Sequence, residues 1–102
     1  MKTEPTSVDE TIDWNIEDGD SVFEMLLELI CRFPDESRDA LRQRAIERIV
    51  ERAGEGEIAF YLEPRPRAGF WILLSREEGI QKLQAPETWN ESAELFLCAG
   101  RK

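Results

Sequence analysis

Two apolar runs separated by a proline-rich turn are the feature that most constrains the fold of this chain. Residues 57–63 read EIAFYLE, residues 69–75 read GFWILLS, and PRPRA connects them. Pro64 and Pro66 cannot donate hydrogen bonds to a strand ladder, so they belong in the connection, and Gly69 suits a position with positive φ. The pattern predicts an antiparallel hairpin with strands over 57–63 and 69–75.

Both faces of this hairpin are expected to be apolar. Because successive side chains point to opposite faces of a strand, one face should carry Phe60 with its alternate neighbours, and the other should carry Tyr61, Trp71 and Leu73. Helices earlier in the chain can cover one face. The second is therefore covered either by the short segment that follows the hairpin or by a partner, since monomers rarely expose large contiguous apolar patches.

Two helices are predicted before the hairpin. Ser21 followed by Glu24 has the form of a capping box, and the apolar run after it predicts a helix over residues 22–33, ended by Pro34. A second helix then continues up to Gly54. Only three charged residues, spaced by four, interrupt the first helix, so we expect it to be the central and most covered helix.

The remaining segments are shorter. Residues 1–10 are polar and acidic, which predicts a flexible tail. Residues 11–16, TIDWNI, alternate apolar and polar side chains as a half-buried strand does. Residues 75–84, SREEGIQKLQ, predict a short helix interrupted by Gly79. Residues 94–98 fit a strand or a helix, and the shortness of the run favours a strand.

Together these segments predict one α+β domain over residues 11–102, preceded by the tail. The expected order is (β)-α-α-β-β-α-β, with two antiparallel helices packed on an antiparallel sheet that contains the hairpin. Whether residues 11–16 pair with that sheet is left open. The chain has 102 residues, of which 41% are hydrophobic and 34% charged, and this is enough for a single modest core.

Composition excludes several functions. The chain has no histidine, so Ser-His-Asp and Cys-His catalysis cannot be built within it. Cys31 and Cys98 each lie in an apolar run, where we expect buried free thiols and neither a disulfide nor a metal site. No apolar run approaches the roughly 20 residues of a membrane span, and no signal peptide is visible. We expect a cytoplasmic protein without enzymatic activity, cofactor or metal.

Acidic residues are concentrated in the first third of the chain. Residues 1–30 hold nine acidic side chains and one basic one, a net charge of −8, whereas the other 72 residues hold thirteen acidic and twelve basic ones. An acidic segment is thus joined to a nearly neutral body. This distribution argues against nonspecific binding to nucleic acids or anionic membranes.

The first functional hypothesis is a noncatalytic protein-interaction module, such as a regulator, an inhibitor or an immunity-type protein. It would bind a protein partner or a second copy of itself through Tyr61, Trp71 and Leu73, together with Arg65 and Arg67 of the turn. Tyrosine, tryptophan and arginine are enriched at binding hot spots. The acidic first third is the other candidate surface, because it would attract a basic partner.

The alternative hypothesis is a winged-helix-like nucleic-acid binder. Two helices followed by a hairpin with a basic tip have the order of that motif. The contacts would come from Arg44, Arg48 and Arg52 of the second helix and from Arg65 and Arg67 at the hairpin tip. The negative net charge and the glutamates that lie among the helix arginines count against it.

Overall fold

Four α-helices, a 3₁₀ helix and three strands make up the described part of the chain, which comprises residues 7–63, 69–89 and 94–99 of this computed structural model. The helices are α1 (Val8–Asp18), α2 (Val22–Arg32), α3 (Arg38–Gly54) and α4 (Arg76–Gln84), with the 3₁₀ helix at Pro86–Trp89. The strands are β1 (Ile58–Glu63), β2 (Ile72–Leu74) and β3 (Glu94–Ala99). The α+β class is confirmed. No helix among the described residues has the length and apolarity to cross a membrane.

The three strands form one antiparallel sheet in the order β2-β1-β3. Tyr61 of β1 lies opposite Leu73 on one side and opposite Phe96 on the other. The hairpin and the strand prediction for residues 94–98 are confirmed, and Gly69 has the expected positive φ of 84°.

All four helices pack against one face of this sheet, here called the inner face. Phe60, Leu95 and Leu97 point from the inner face into the core and are buried. They form one apolar cluster with buried side chains of α1, α2, α3 and α4. Helix α2 contacts α1, α3 and β3, and α3 contacts α1, α2, α4 and β1, so neither helix alone is central. Leu27 and Cys31 on the far side of α2 are exposed, so the expectation that it is the most covered helix is wrong.

Serine caps set where the helices begin. The capping box of α2 is present, since the Glu24 N–H donates to Ser21 Oγ at 3.2 Å and the Ser21 N–H donates to the Glu24 carboxylate at 3.4 Å. Ser37 accepts from the first turn of α3, and Ser75 forms a second capping box at the start of α4. Each of these helices follows an extended residue whose side chain satisfies an otherwise unpaired N–H.

Helix α1 corrects two predictions. The expected strand over residues 11–16 is wrong, because these residues lie within the helix. The expected tail over residues 1–10 is also too long, because the helix begins at Val8; residues 1–6 lie outside the described part. Ser7 caps α1 by accepting the Glu10 N–H at 3.1 Å, and Gly19 ends it with φ 78°.

The side chains of α1 explain the error. Thr11, Ile12, Asn15 and Ile16 are buried and form a stripe with helical spacing, whereas Trp14 is only partly buried beside it. Ile12 and Ile16 are four residues apart, which satisfies both a period of two and a helical repeat. The buried Asn15 donates to the Thr11 carbonyl at 2.8 Å, so its amide is paired within the helix.

Helix α4 corrects a third prediction, since Gly79 does not interrupt it. The Gly79 Cα lies against the ring of Phe60, and a side chain at this position would overlap the ring. The glycine therefore permits close contact between helix and sheet.

Candidate functional site

The face of the sheet opposite the helices, here called the outer face, is apolar and open. Its apolar part consists of Ala59, Tyr61, Trp71, Leu73, Phe96 and Cys98, and Glu63 lies on the same face at the end of β1. Strand alternation produces this face, because Phe60, Leu95 and Leu97, which are neighbours of these residues along β1 and β3, point toward the core. Trp71 and Leu73 keep 59% and 65% of their surfaces exposed, so neither is covered within its own domain.

Aromatic side chains shape a groove on the outer face. The rings of Trp71 and Phe96 meet edge to face, with centroids 6.1 Å apart and planes at 79°. Tyr61 and Cys98 complete the apolar lining, and Gly19 borders one end. The groove has a volume of about 360 Å³, which is the size of a small ligand site but lies open at the surface.

The structure brings together three of the five predicted binding residues. Tyr61, Trp71 and Leu73 share the outer face, as strand alternation predicts. The possibility that the short helix after the hairpin covers them is wrong, because α4 packs on Phe60 at the inner face. Arg65 and Arg67 lie outside the described residues.

Three apolar residues of the outer face, Ala59, Phe96 and Cys98, were not predicted as site residues. Phe96 and Cys98 occupy alternate positions of β3 and lie opposite Tyr61 and Ala59. The signal was the alternation in ELFLCA, which identifies them once the segment is taken as a strand paired with β1. Cys98 and Cys31 are both exposed free thiols, so the expectation that they are buried is wrong.

An acidic turn, residues 18–20, borders the groove at its β3 end. The Leu97 N–H donates to the Asp20 carbonyl at 3.4 Å, and Ser21 forms a bridge with Phe96, so the turn is held against β3. Partial burial raises the pKa of Asp20 above its ordinary value, and the carboxylates of Glu24, Asp18 and Glu28 raise it further. Among the described residues no arginine or lysine pairs with the carboxylate of Asp18 or Asp20.

The arginine ridge of α3, made of Arg44, Arg48 and Arg52, is in contrast paired with carboxylates. Arg48 holds Asp13 through two hydrogen bonds of 2.9 and 2.8 Å. Arg52 contacts Asp13 at 3.3 Å and Glu57 at 2.9 Å, and Arg44 contacts Asp9 at 3.0 Å. The pairs with Asp9 and Asp13 join α1 to α3, and the pair with Glu57 joins α3 to the segment before β1.

A polar cleft of about 330 Å³ runs along the same ion pairs. Partial burial would raise the pKa of Asp13, but its hydrogen bonds and charge interactions with Arg48, and then with Arg52, lower it below the ordinary value. A carboxylate held ionised in this way is a poor general acid or base near neutral pH. In the part of the chain that the structure describes, no group of Cys, Asp and Glu side chains is arranged to hold a metal ion. The cleft is best explained as a structural contact between helices.

Comparisons with protein-family models, with curated proteins and with solved structures find no match to this chain. Its own geometry is therefore the basis for a functional proposal. The arginine ridge is paired with carboxylates within the domain, whereas the outer face is uncovered.

Proposed function

We propose that this chain is a noncatalytic protein-interaction module that binds a protein partner through the outer face. The observation that supports this most is the exposure of Trp71 and Leu73 beside Tyr61 and Phe96, on a sheet whose helices all lie on the other side. Removing apolar surface from water contributes roughly 25 cal/mol per Å². Aromatic side chains that line a groove are the usual centres of binding energy in protein interfaces.

The surroundings of the groove indicate the chemistry of the partner. In the acidic turn at the β3 end, Asp18 and Asp20 flank Gly19, which lines the groove. A partner with an apolar side chain next to lysine or arginine would fill the groove and neutralise this rim. Such a contact would suit a regulator, an inhibitor or an immunity-type protein that covers a basic and apolar surface on its target.

The nucleic-acid alternative gains no supporting observation. Its helix residues Arg44, Arg48 and Arg52 each donate to a carboxylate within the domain. To bind phosphates, these arginines would have to break their pairs with the carboxylates. The neighbouring helix α1 would still be acidic.

The test is capture of protein partners on the immobilised chain, followed by titration of the captured protein against variants. A double variant, Tyr61→Ala with Phe96→Ala, removes aromatic surface from the outer face and is expected to weaken binding at least about tenfold. Leu27→Ala is the matched control, because Leu27 is 47% exposed but lies on α2, away from the sheet.

Equal binding by the wild type and the double variant would refute this assignment of the surface, as would an equal loss in the Leu27→Ala control. Raising the salt concentration should slow association, since the acidic turn attracts the partner electrostatically. Salt-dependent binding to duplex DNA, lost on replacing the arginine ridge, would support the alternative instead.

A further inference from the structure

The two edges of the sheet are not equivalent. On the β3 side, the acidic turn closes part of the edge, with Ser21 bridged to Phe96 and the Asp20 carbonyl accepting from the Leu97 N–H. On the β2 side, the strand pairs with β1 alone, and no other described segment pairs with its free edge. An unpaired edge presents backbone N–H and C=O groups that are available to another strand.

The β2 edge has one of the usual protections against such pairing, because β2 is only three residues long. It lacks the side-chain protections, since natural edge strands commonly carry lysine, proline or inward-pointing charges. Residues 70–74 read FWILL and contain none of these. Phe70, Trp71, Ile72 and Leu73 are 51%, 59%, 42% and 65% exposed, and they are four of the five large apolar side chains exposed among the described residues. Both sides of this edge are therefore apolar and accessible.

We propose that β2 pairs with β2 of a second copy of this chain, antiparallel around a twofold axis, which joins two three-stranded sheets into one of six strands. The edge is complementary to itself, because an antiparallel register within residues 70–74 sets apolar residues opposite apolar residues, without like charges facing each other. A twofold contact uses the same edge on both copies and closes at a dimer.

The distribution of charge favours this edge over contact between two outer faces. Residues 1–30 carry a net charge of −8, and α1 and α2 pack beside β3, at the opposite edge from β2. In the six-stranded sheet the two β3 strands lie five strand spacings apart, about 24 Å, which is well beyond the Debye length of about 8 Å at physiological salt. Two outer faces stacked on each other would lie only about 10 Å apart, with the two acidic turns at their rims.

This inference does not depend on the proposed function. Pairing at the edge uses the backbone of β2, and it leaves the outer faces of both copies open and contiguous on one side of the sheet. The two ideas can therefore fail separately.

The first test is sedimentation equilibrium of the wild-type chain from about 10 μM to about 1 mM, a range that covers weak association. The mass is expected to rise from 11.8 kDa toward twice that value. Ile72→Lys places a charge at the centre of the edge, opposite or near its symmetry mate, and should remain monomeric throughout. Leu27→Lys is the matched control and should associate as the wild type does. Unfolding curves of both variants confirm that they are folded.

The second test locates the contact by disulfide formation. In a background with Cys31→Ser and Cys98→Ser, single cysteines replace Trp71, Ile72 and Leu73 in turn. Directly opposed residues in an antiparallel pair have Cα atoms about 4.5–5.5 Å apart, within disulfide range, so one of the three should cross-link rapidly under oxidation. A chain that retains only Cys98 should cross-link slowly.

A wild-type mass that stays at the monomer value up to about 1 mM would overturn the inference. Rapid cross-linking through Cys98 with none at the edge would overturn it in favour of stacked outer faces. The outer-face variant Tyr61→Ala with Phe96→Ala should leave the dimer intact, and Ile72→Lys should still capture a partner. Failure of one proposal is thereby distinguished from failure of the other.

Discussion

Replacing Gly79 by alanine is expected to destabilise this protein, even though alanine is the better helix former. Gly79 lies inside α4, where the change from glycine to alanine would by propensity alone stabilise a helix by about 0.8–1.0 kcal/mol. The new methyl group would overlap three atoms of the Phe60 ring, including the ring carbon nearest the backbone. Phe60 is buried in the core, so its ring has no free space to enter.

The expected change in the free energy of unfolding is the cost of overlap with the Phe60 ring minus the gain from helix propensity. Overpacking a core costs about 1–3 kcal/mol, and overlap with the base of a buried ring places Gly79→Ala in the upper half of that range. After subtraction of the propensity gain, the free energy of unfolding should fall by about 1–2 kcal/mol. The thermal midpoint should then fall by about 4–16 °C.

Urea denaturation followed by circular dichroism measures this change, and Gly54→Ala is the matched control. Gly54 is the last residue of α3, and a methyl group there meets no atom within 4 Å, so this variant should be stabilised by about 0.4–1 kcal/mol. In a Phe60→Leu background the cost of Gly79→Ala should shrink, because the ring is gone. Stabilisation of Gly79→Ala to the same degree as Gly54→Ala would refute the assigned role of the glycine.

Three further changes test individual contacts by urea unfolding. Asp13→Asn should lower stability by about 1 kcal/mol at neutral pH, since it weakens the pairs with Arg48 and Arg52. Because the folded-state pKa of Asp13 lies below its ordinary 3.8, the wild-type advantage should be complete above that value and lost as the pH falls through the folded-state pKa. Asp20→Asn should have the opposite effect and raise stability by a few tenths of a kcal/mol at neutral pH. This gain should vanish in acid, because the raised pKa of Asp20 means that the wild-type carboxyl is then neutral too. Trp89→Phe should lower stability by about 1–3 kcal/mol, because the buried carbonyl of Leu83 loses the hydrogen bond that the Trp89 indole N–H donates to it at 2.8 Å.

The elements that could be predicted from the sequence are those whose signals are local. Ser21 with Glu24 identified the start of α2, and the prolines with Gly69 identified the hairpin connection. The failure at α1 is also local, because six residues with apolar side chains at every second position fit two periodicities. Ser7 followed by Glu10 carries the same cap signal as Ser21 with Glu24, and Gly19 supplies the end of the helix. These cap signals predict a helix more strongly than the short alternation over residues 11–16 predicts a strand.

The candidate site was predictable only on the hairpin side. Tyr61 and Leu73 are joined by a short connection, so their shared face follows from alternation and a single turn. The pairing of Tyr61 with Phe96 joins residues 35 positions apart, and no local signal fixes that register. Which face the helices would cover was likewise undetermined, since both faces are apolar. In the folded protein, α4 can approach closely at Phe60 because Gly79 has no side chain, and this contact lies on the inner face.

Pairing at the β2 edge would change what the outer face presents to a partner. In a six-stranded sheet, both copies of Trp71 and Leu73 lie close to the twofold axis, while the two acidic turns lie at the far edges, beyond the β3 strands that are about 24 Å apart. A partner would then meet one continuous apolar strip flanked on both sides by carboxylates. Because the second contact would form within the same complex, a partner with two basic and apolar sites would bind the dimer far more tightly than the Ile72→Lys monomer. Pairing at the β2 edge would thus raise the affinity for the partner although the edge does not contact it, because the dimer holds two outer faces in one plane.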